Sequence, residues 1–128
     1  MISTAIWISS DEAKIFQFKA EGVDTHHMRA HGIRHHKETL GKNHSQENSD
    51  AEKFFHEVAT YLCHTNSQRW LILGPGPAKT HFQHHIERHH ANFKKAIFAV
   101  EPMDKGSDGE IKNFAHDYFK KKGVFEST

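Results

Sequence analysis

Trp70–Phe82 reads WLILGPGPAKTHF, and its character changes at the midpoint. The four apolar residues Trp70–Leu73 suit a strand buried on both faces. Gly74, Pro75, Gly76 and Pro77 then interrupt any regular element. Pro77 stands where the first helical residue is expected, a position that tolerates a missing N–H. Phe82 and Ile86 follow at helical spacing. The spacing therefore predicts a strand, a rigid elbow and a helix. A phosphate cradle is the competing reading, because a helix N-terminus attracts anions. However, GPGPAKT does not fit G-x-x-x-x-G-K-S/T or G-x-G-x-x-G, and its prolines remove N–H donors that such a cradle would use.

Working outward, Ala5–Ile8 is continuously apolar and Ala13–Lys19 reads as a second strand after the polar turn Ser9–Glu12. Val23–His31 is polar enough for an edge strand. Gly32–Asn48 has no periodicity, and a structureless loop of that length in a small domain is usually functional or mobile. Ser49 and Glu52 form a capping box ahead of Ala51, Phe54, Phe55, Val58, Ala59 and Leu62, a helical apolar stripe. Ala96–Val100 is the fifth strand. A second box, Ser107 with Glu110, opens a helix whose stripe is Ile111, Phe114, Ala115, Tyr118 and Phe119. Lys120–Lys122 suit its negative end, and Gly123 stops it.

The element order is thus βββαβαβα. Tight turns make the first three strands an antiparallel meander, and helical crossovers make the last two parallel. The expected fold class is α/β, a ribonuclease H-like mixed five-stranded sheet with three helices.

The 128 residues suit one domain spanning 1–128. One cysteine, Cys63, excludes an internal disulfide framework, and no apolar run approaches the roughly 18 residues of a membrane span. With no basic stretch followed by an apolar run at the start, the chain reads as cytoplasmic. Its formal net charge of +1 hides 14 histidines. Half-protonated near pH 6.5, these would add roughly +7.

A strand ending in LGPG that opens a helix with Lys79 resembles the central domain of the archaeo-eukaryotic peptide release factor and Pelota superfamily. It is similar to the small bacterial stand-alone members labelled translational machinery proteins. Gly74, Pro75, Gly76 and Lys79 carry the resemblance, and the order of strands and helices extends it from Thr4 to about Lys122. The resemblance implies action on the ribosome, with rRNA or tRNA as partner. Release factors carry Gly-Gly-Gln in the long loop, whereas this loop has only Gly32, Gly41 and Gln46, with no adjacent glycines. Peptidyl-tRNA hydrolysis is therefore not expected, and no cofactor is implied.

Three further constellations stand beside the resemblance. A metal-dependent nuclease needs converging carboxylates, but Ala5–Ile8 and Trp70–Leu73 contain none. Asp11, Glu52 and Glu57 read instead as a turn, a cap and a solvated helix residue. His81, His85 and His89 stand four apart and form a candidate metal face, against the reading of a solvated histidine flank on an amphipathic helix. Nucleic-acid binding points to Arg29, Arg34, His35, His36 and Lys37, supported by Lys42 and His44, because basic side chains neutralise phosphates and imidazoles stack or donate. Its competitor is a solvated basic loop. Cys63 reads as inert, with His64 serving the helix end. The rival function is a protein-interaction module, with the polar edge strand as a dimer surface.

Overall fold

The computed structural model describes residues 2–30 and 44–124, of which 44–49 are described by backbone alone. Strands β1 (Ile2–Ile8), β2 (Glu12–Lys19) and β3 (Gly22–Arg29) precede helix α1 (His44–Cys63). Strand β4 (Ser67–Gly74), helix α2 (Ala78–His89), a 3-10 segment (Ala91–Ala96), strand β5 (Ile97–Pro102) and helix α3 (Asp108–Lys121) complete the order. The sheet runs β3-β2-β1-β4-β5. β1 and β3 pair antiparallel with β2, while β4 pairs parallel with β1 and β5. This is the mixed α/β sheet and the order that the sequence implies.

Strand alternation divides the core into two layers. Ile6, Ile8, Ile15 and Ile72 pack under α1 and α2 with Phe54, Phe55, Phe82 and Ile86. On the opposite face Trp7, Phe16, Leu71 and Leu73 meet Ile111, Ala115 and Phe119 of α3. β1 and the Trp70–Gly74 end of β4 are buried on both faces, which accounts for their unbroken apolar reading.

The Gly-Pro-Gly-Pro turn is a structural elbow. At Gly74 (φ +155°) an added Cβ would lie 2.2 Å from the Ile8 carbonyl oxygen, so no other residue fits without backbone movement. Gly76 is left-handed (φ +59°) with open space around it. The Met103 N–H donates to the Gly74 carbonyl (3.0 Å) and the Lys79 ammonium donates to that of Gly76 (2.5 Å). Pro77 precedes the helix as its cap residue with φ −87° and ψ −6°, one position earlier than its expected place.

Four other expectations are corrected. α1 begins at His44, so the loop ends earlier than Asn48 and Ser49 lies inside the helix. Glu52 is engaged with His85, not with a helix start. A 3-10 segment reaches Ala96, delaying β5 to Ile97. Phe114 is 39% exposed, stacked on Tyr118 at the margin of the α3 stripe (ring centroids 6.3 Å apart). By contrast, the Ser107–Glu110 box is formed, with Glu110 N–H donating to Ser107 Oγ (3.2 Å) and Ser107 N–H to Glu110 Oε1 (2.8 Å).

Candidate functional site

Of the residues expected to meet RNA, Arg29 is described in full. Arg34, His35, His36, Lys37 and Lys42 lie outside the described residues, as does the side chain of His44, whose backbone opens α1. Arg29 ends the edge strand and pairs in register with Glu12 of β2. Its guanidinium stands 78% exposed with one nitrogen 3.7 Å from Glu12 Oε2, and Lys105 Nζ lies 3.7 Å from the other Glu12 oxygen. Glu12 is largely buried, but at this distance and with the guanidinium in solvent the pair is weak and screened, so Glu12 orients Arg29 without consuming it.

The same face carries a second charged group. Lys14 is nearly buried, donates to the Gly106 carbonyl (3.2 Å), and lies 3.4 Å from Asp108 Oδ1 and 5.9 Å above the Trp7 ring. His27, its neighbour on β3, reaches the other Asp108 oxygen at 2.8 Å. Asp108 in the first turn of α3 thus ties the edge strand to the sheet's α3 layer. On the opposite face of β3, His26 stacks on Tyr61 of α1, with centroids 4.2 Å apart and planes 9° apart.

The α1–α2 layer holds a cluster that sequence spacing only half revealed. Glu52 and His56 stand four apart on α1, as do His85 and His89 on α2, and packing turns the two pairs towards one another. His90, just beyond α2, closes the group. His85 is 3% exposed, and its Nδ1 lies 2.8 Å from Glu52 Oε1. The His56 ring is centred 5.8 Å from His85 and 5.2 Å from His90, and His85 and His90 are 5.5 Å apart. Burial pushes the His85 imidazole below its usual pKa against the opposing pull of Glu52, and His90 is lowered by burial and by the neighbouring imidazoles.

Of the three histidines expected to form a metal face, His85 and His89 stand together (centroids 4.7 Å apart), while His81 is exposed and outside the cluster. Sequence spacing alone misses His56 and His90. The interval of four shared by Glu52–His56 and His85–His89 is the signal that could have found His56. The solvated-flank reading fails for His85 and holds for His81 and His84, which are exposed. Cys63 lies 3.9 Å from His90 Nδ1, and burial pushes its thiol up, which disfavours the reactive thiolate. His64 Nδ1 sits 2.7 Å from the Thr60 carbonyl, serving the end of α1 as expected.

No protein-family model and no curated protein matches this chain. Solved structures do. Pelota of Archaeoglobus fulgidus superposes with a TM-score of 0.68 and 17% identity, over 96% of this chain and 33% of that one. Pelota of Thermoplasma acidophilum gives 0.63 and 20%, over 94% and 34%. An archaeal translation termination factor, aRF1, gives 0.53 and 14%, over 96% and 40%. These likenesses establish a shared fold, and this chain spans between a third and two-fifths of each structure's length.

Proposed function

We propose that this domain is a cytoplasmic relative of the Pelota and release-factor central domain, binding RNA in the context of translation. Its partner is the ribosome, through rRNA or tRNA. The observation that carries this reading is the exposed guanidinium of Arg29, which ends the edge strand. In sequence it is followed by Arg34, His35, His36, Lys37, Lys42 and His44, and the fold is shared with an archaeal translation termination factor. Four guanidinium or ammonium groups, Arg29, Arg34, Lys37 and Lys42, supply phosphate neutralisation, and the imidazoles add donors and stacking surfaces. Gly74, Pro75, Gly76 and Lys79 shape the elbow that carries the resemblance.

Peptidyl-tRNA hydrolysis is not part of this activity, since the segment has no adjacent glycines before Gln46. Ribosome co-sedimentation of the purified chain tests the binding. Recovery in the ribosome pellet at low salt and loss at high salt is the expected result, whereas absence from the pellet at low salt would refute it. Peptide freed from peptidyl-tRNA on the ribosome, and abolished by Gln46→Ala, would restore a hydrolytic reading.

A second reading rests on β3, whose residues Gly22–His27 are exposed and which borders the sheet. Such an edge is a template for strand addition by a partner chain or a second copy. Concentration-dependent dimerisation abolished by a proline in β3, with no ribosome association, would favour it.

A further inference from the structure

We propose that His56, His85 and His90 form a binding site for a divalent transition-metal ion of the zinc type, with Glu52 as the carboxylate that orients His85. The inference rests on side-chain geometry in the α1–α2 layer and is independent of the RNA-binding reading. One ring nitrogen from each of the three histidines can be chosen so that all lie within 4.8 Å of one another. A tetrahedral ion with bonds of about 2.0–2.1 Å to imidazole holds its nitrogens roughly 3.4 Å apart. Each pair must therefore close by at most about 1.4 Å, a displacement within the reach of small side-chain rotations of the three imidazoles.

Two independent observations point to a ligand. His85 Nε2 and His90 Nε2 are buried and have no hydrogen-bond partner among the described residues. Buried polar atoms are nearly always satisfied, and a metal ion is one of the partners that satisfies them. The second is the hydrogen bond between Glu52 Oε1 and His85 Nδ1, at 2.8 Å. A carboxylate accepts, so Nδ1 carries a proton towards Glu52, and in the neutral tautomer that a metal requires the Nε2 lone pair is free. A carboxylate behind a histidine in this way is the usual outer support of a zinc ligand, fixing the tautomer and raising basicity.

Glu52, His85 and His89 form a second possible group around the same ring. Using it would turn Glu52 from the acceptor of the His85 hydrogen bond into a ligand and leave the buried His90 Nε2 without a partner, so His56 and His90 are the better partners. Imidazole donors suit zinc, copper, nickel and iron, and hard oxygen-seeking ions such as magnesium do not fit the set. Three protein nitrogens leave a fourth position for solvent or a ligand on the side of the exposed His56.

Calorimetric titration of the full chain, stripped with EDTA, with zinc chloride at neutral pH tests the site. One equivalent should bind. His56→Ala, exposed and so harmless to folding, should weaken binding at least about tenfold. Glu52→Gln, which retains an acceptor but not the charge, should weaken it about 10- to 100-fold. His89→Ala and the double change His81→Ala with His84→Ala should leave the affinity unchanged, which separates this site from general binding to a histidine-rich surface. Absence of zinc binding, affinity unchanged in His56→Ala, or affinity lost in His89→Ala or in the double variant would each overturn the assignment.

Discussion

Glu52 Oε1 and His85 Nδ1 lie 2.8 Å apart and join the two helices that cover one face of the sheet. The carboxylate is 42% exposed and the imidazole 4%, so the bond satisfies a buried donor from a solvated acceptor. In metal-free protein, Glu52→Ala should therefore leave the His85 N–H unpaired. The loss should be about 1 kcal/mol, the lower end for an unsatisfied buried group, because water can partly replace an exposed partner. Glu52→Gln keeps an acceptor and should cost less. Urea unfolding measures both, and equal stability of Glu52→Ala and the parent would show that the bond contributes nothing.

Gly74 and Gly76 make a second comparison, because both have positive φ but differ in space. Gly76→Ala meets only the left-handed backbone penalty, about 1–2 kcal/mol. Gly74→Ala adds a collision with the Ile8 carbonyl and should cost clearly more, roughly 3 kcal/mol or above. Denaturant midpoints finding Gly76→Ala the worse of the two would contradict the close approach of β1 and the elbow.

Tyr118 donates to Glu101 Oε2 at 2.7 Å, and burial, followed by that carboxylate, pushes its phenol up to about 12 from 10.0. The folded state thus holds the proton more tightly than the unfolded one. The associated stability is complete below pH 10 and is lost as pH rises from 10 through about 12. Ultraviolet titration of phenolate should show a late step that disappears in Tyr118→Phe and moves to lower pH in Glu101→Gln. A Tyr118 step at the ordinary phenol position would count against this environment.

Replacing Arg29, Arg34, Lys37 and Lys42 together with alanine should weaken RNA binding across sequences. The salt slope should fall by about 0.7 for each phosphate left without its cation on single strands. Arg29 is exposed and only loosely held by Glu12, so its replacement should alter stability by no more than about 0.5 kcal/mol. A folded quadruple variant with unchanged RNA affinity would transfer the function to the edge strand.

The fold was legible because its strands and helices differ in apolar period, and because the turn at Gly74–Pro77 separates one from the other. Where sequence patterns mislead, a tertiary interaction decides. Ser49 and Glu52 match a capping box letter for letter, yet α1 begins at His44 and Glu52 is held by His85, a residue 33 positions away. The same holds for the histidines: spacing groups His81 with His85 and His89, but helix packing brings His56 and His90 to His85 and leaves His81 in solvent. Period alone places Phe114 in the α3 stripe, yet it stands 39% exposed, stacked on Tyr118.

The position of β1 also governs how the chain assembles as it is made. Its outer partner β4 begins 59 residues after Ile8, at Ser67, and at about 5–20 residues per second the wait is roughly 3–12 s. During that interval the β1–β2–β3 meander presents an apolar, unpaired strand border, the kind that recruits neighbouring nascent chains. Vectorial synthesis therefore leaves that border without its native partner until β4 emerges. A circular permutant opening at β4 would shorten the exposed period, with the native sheet unaltered.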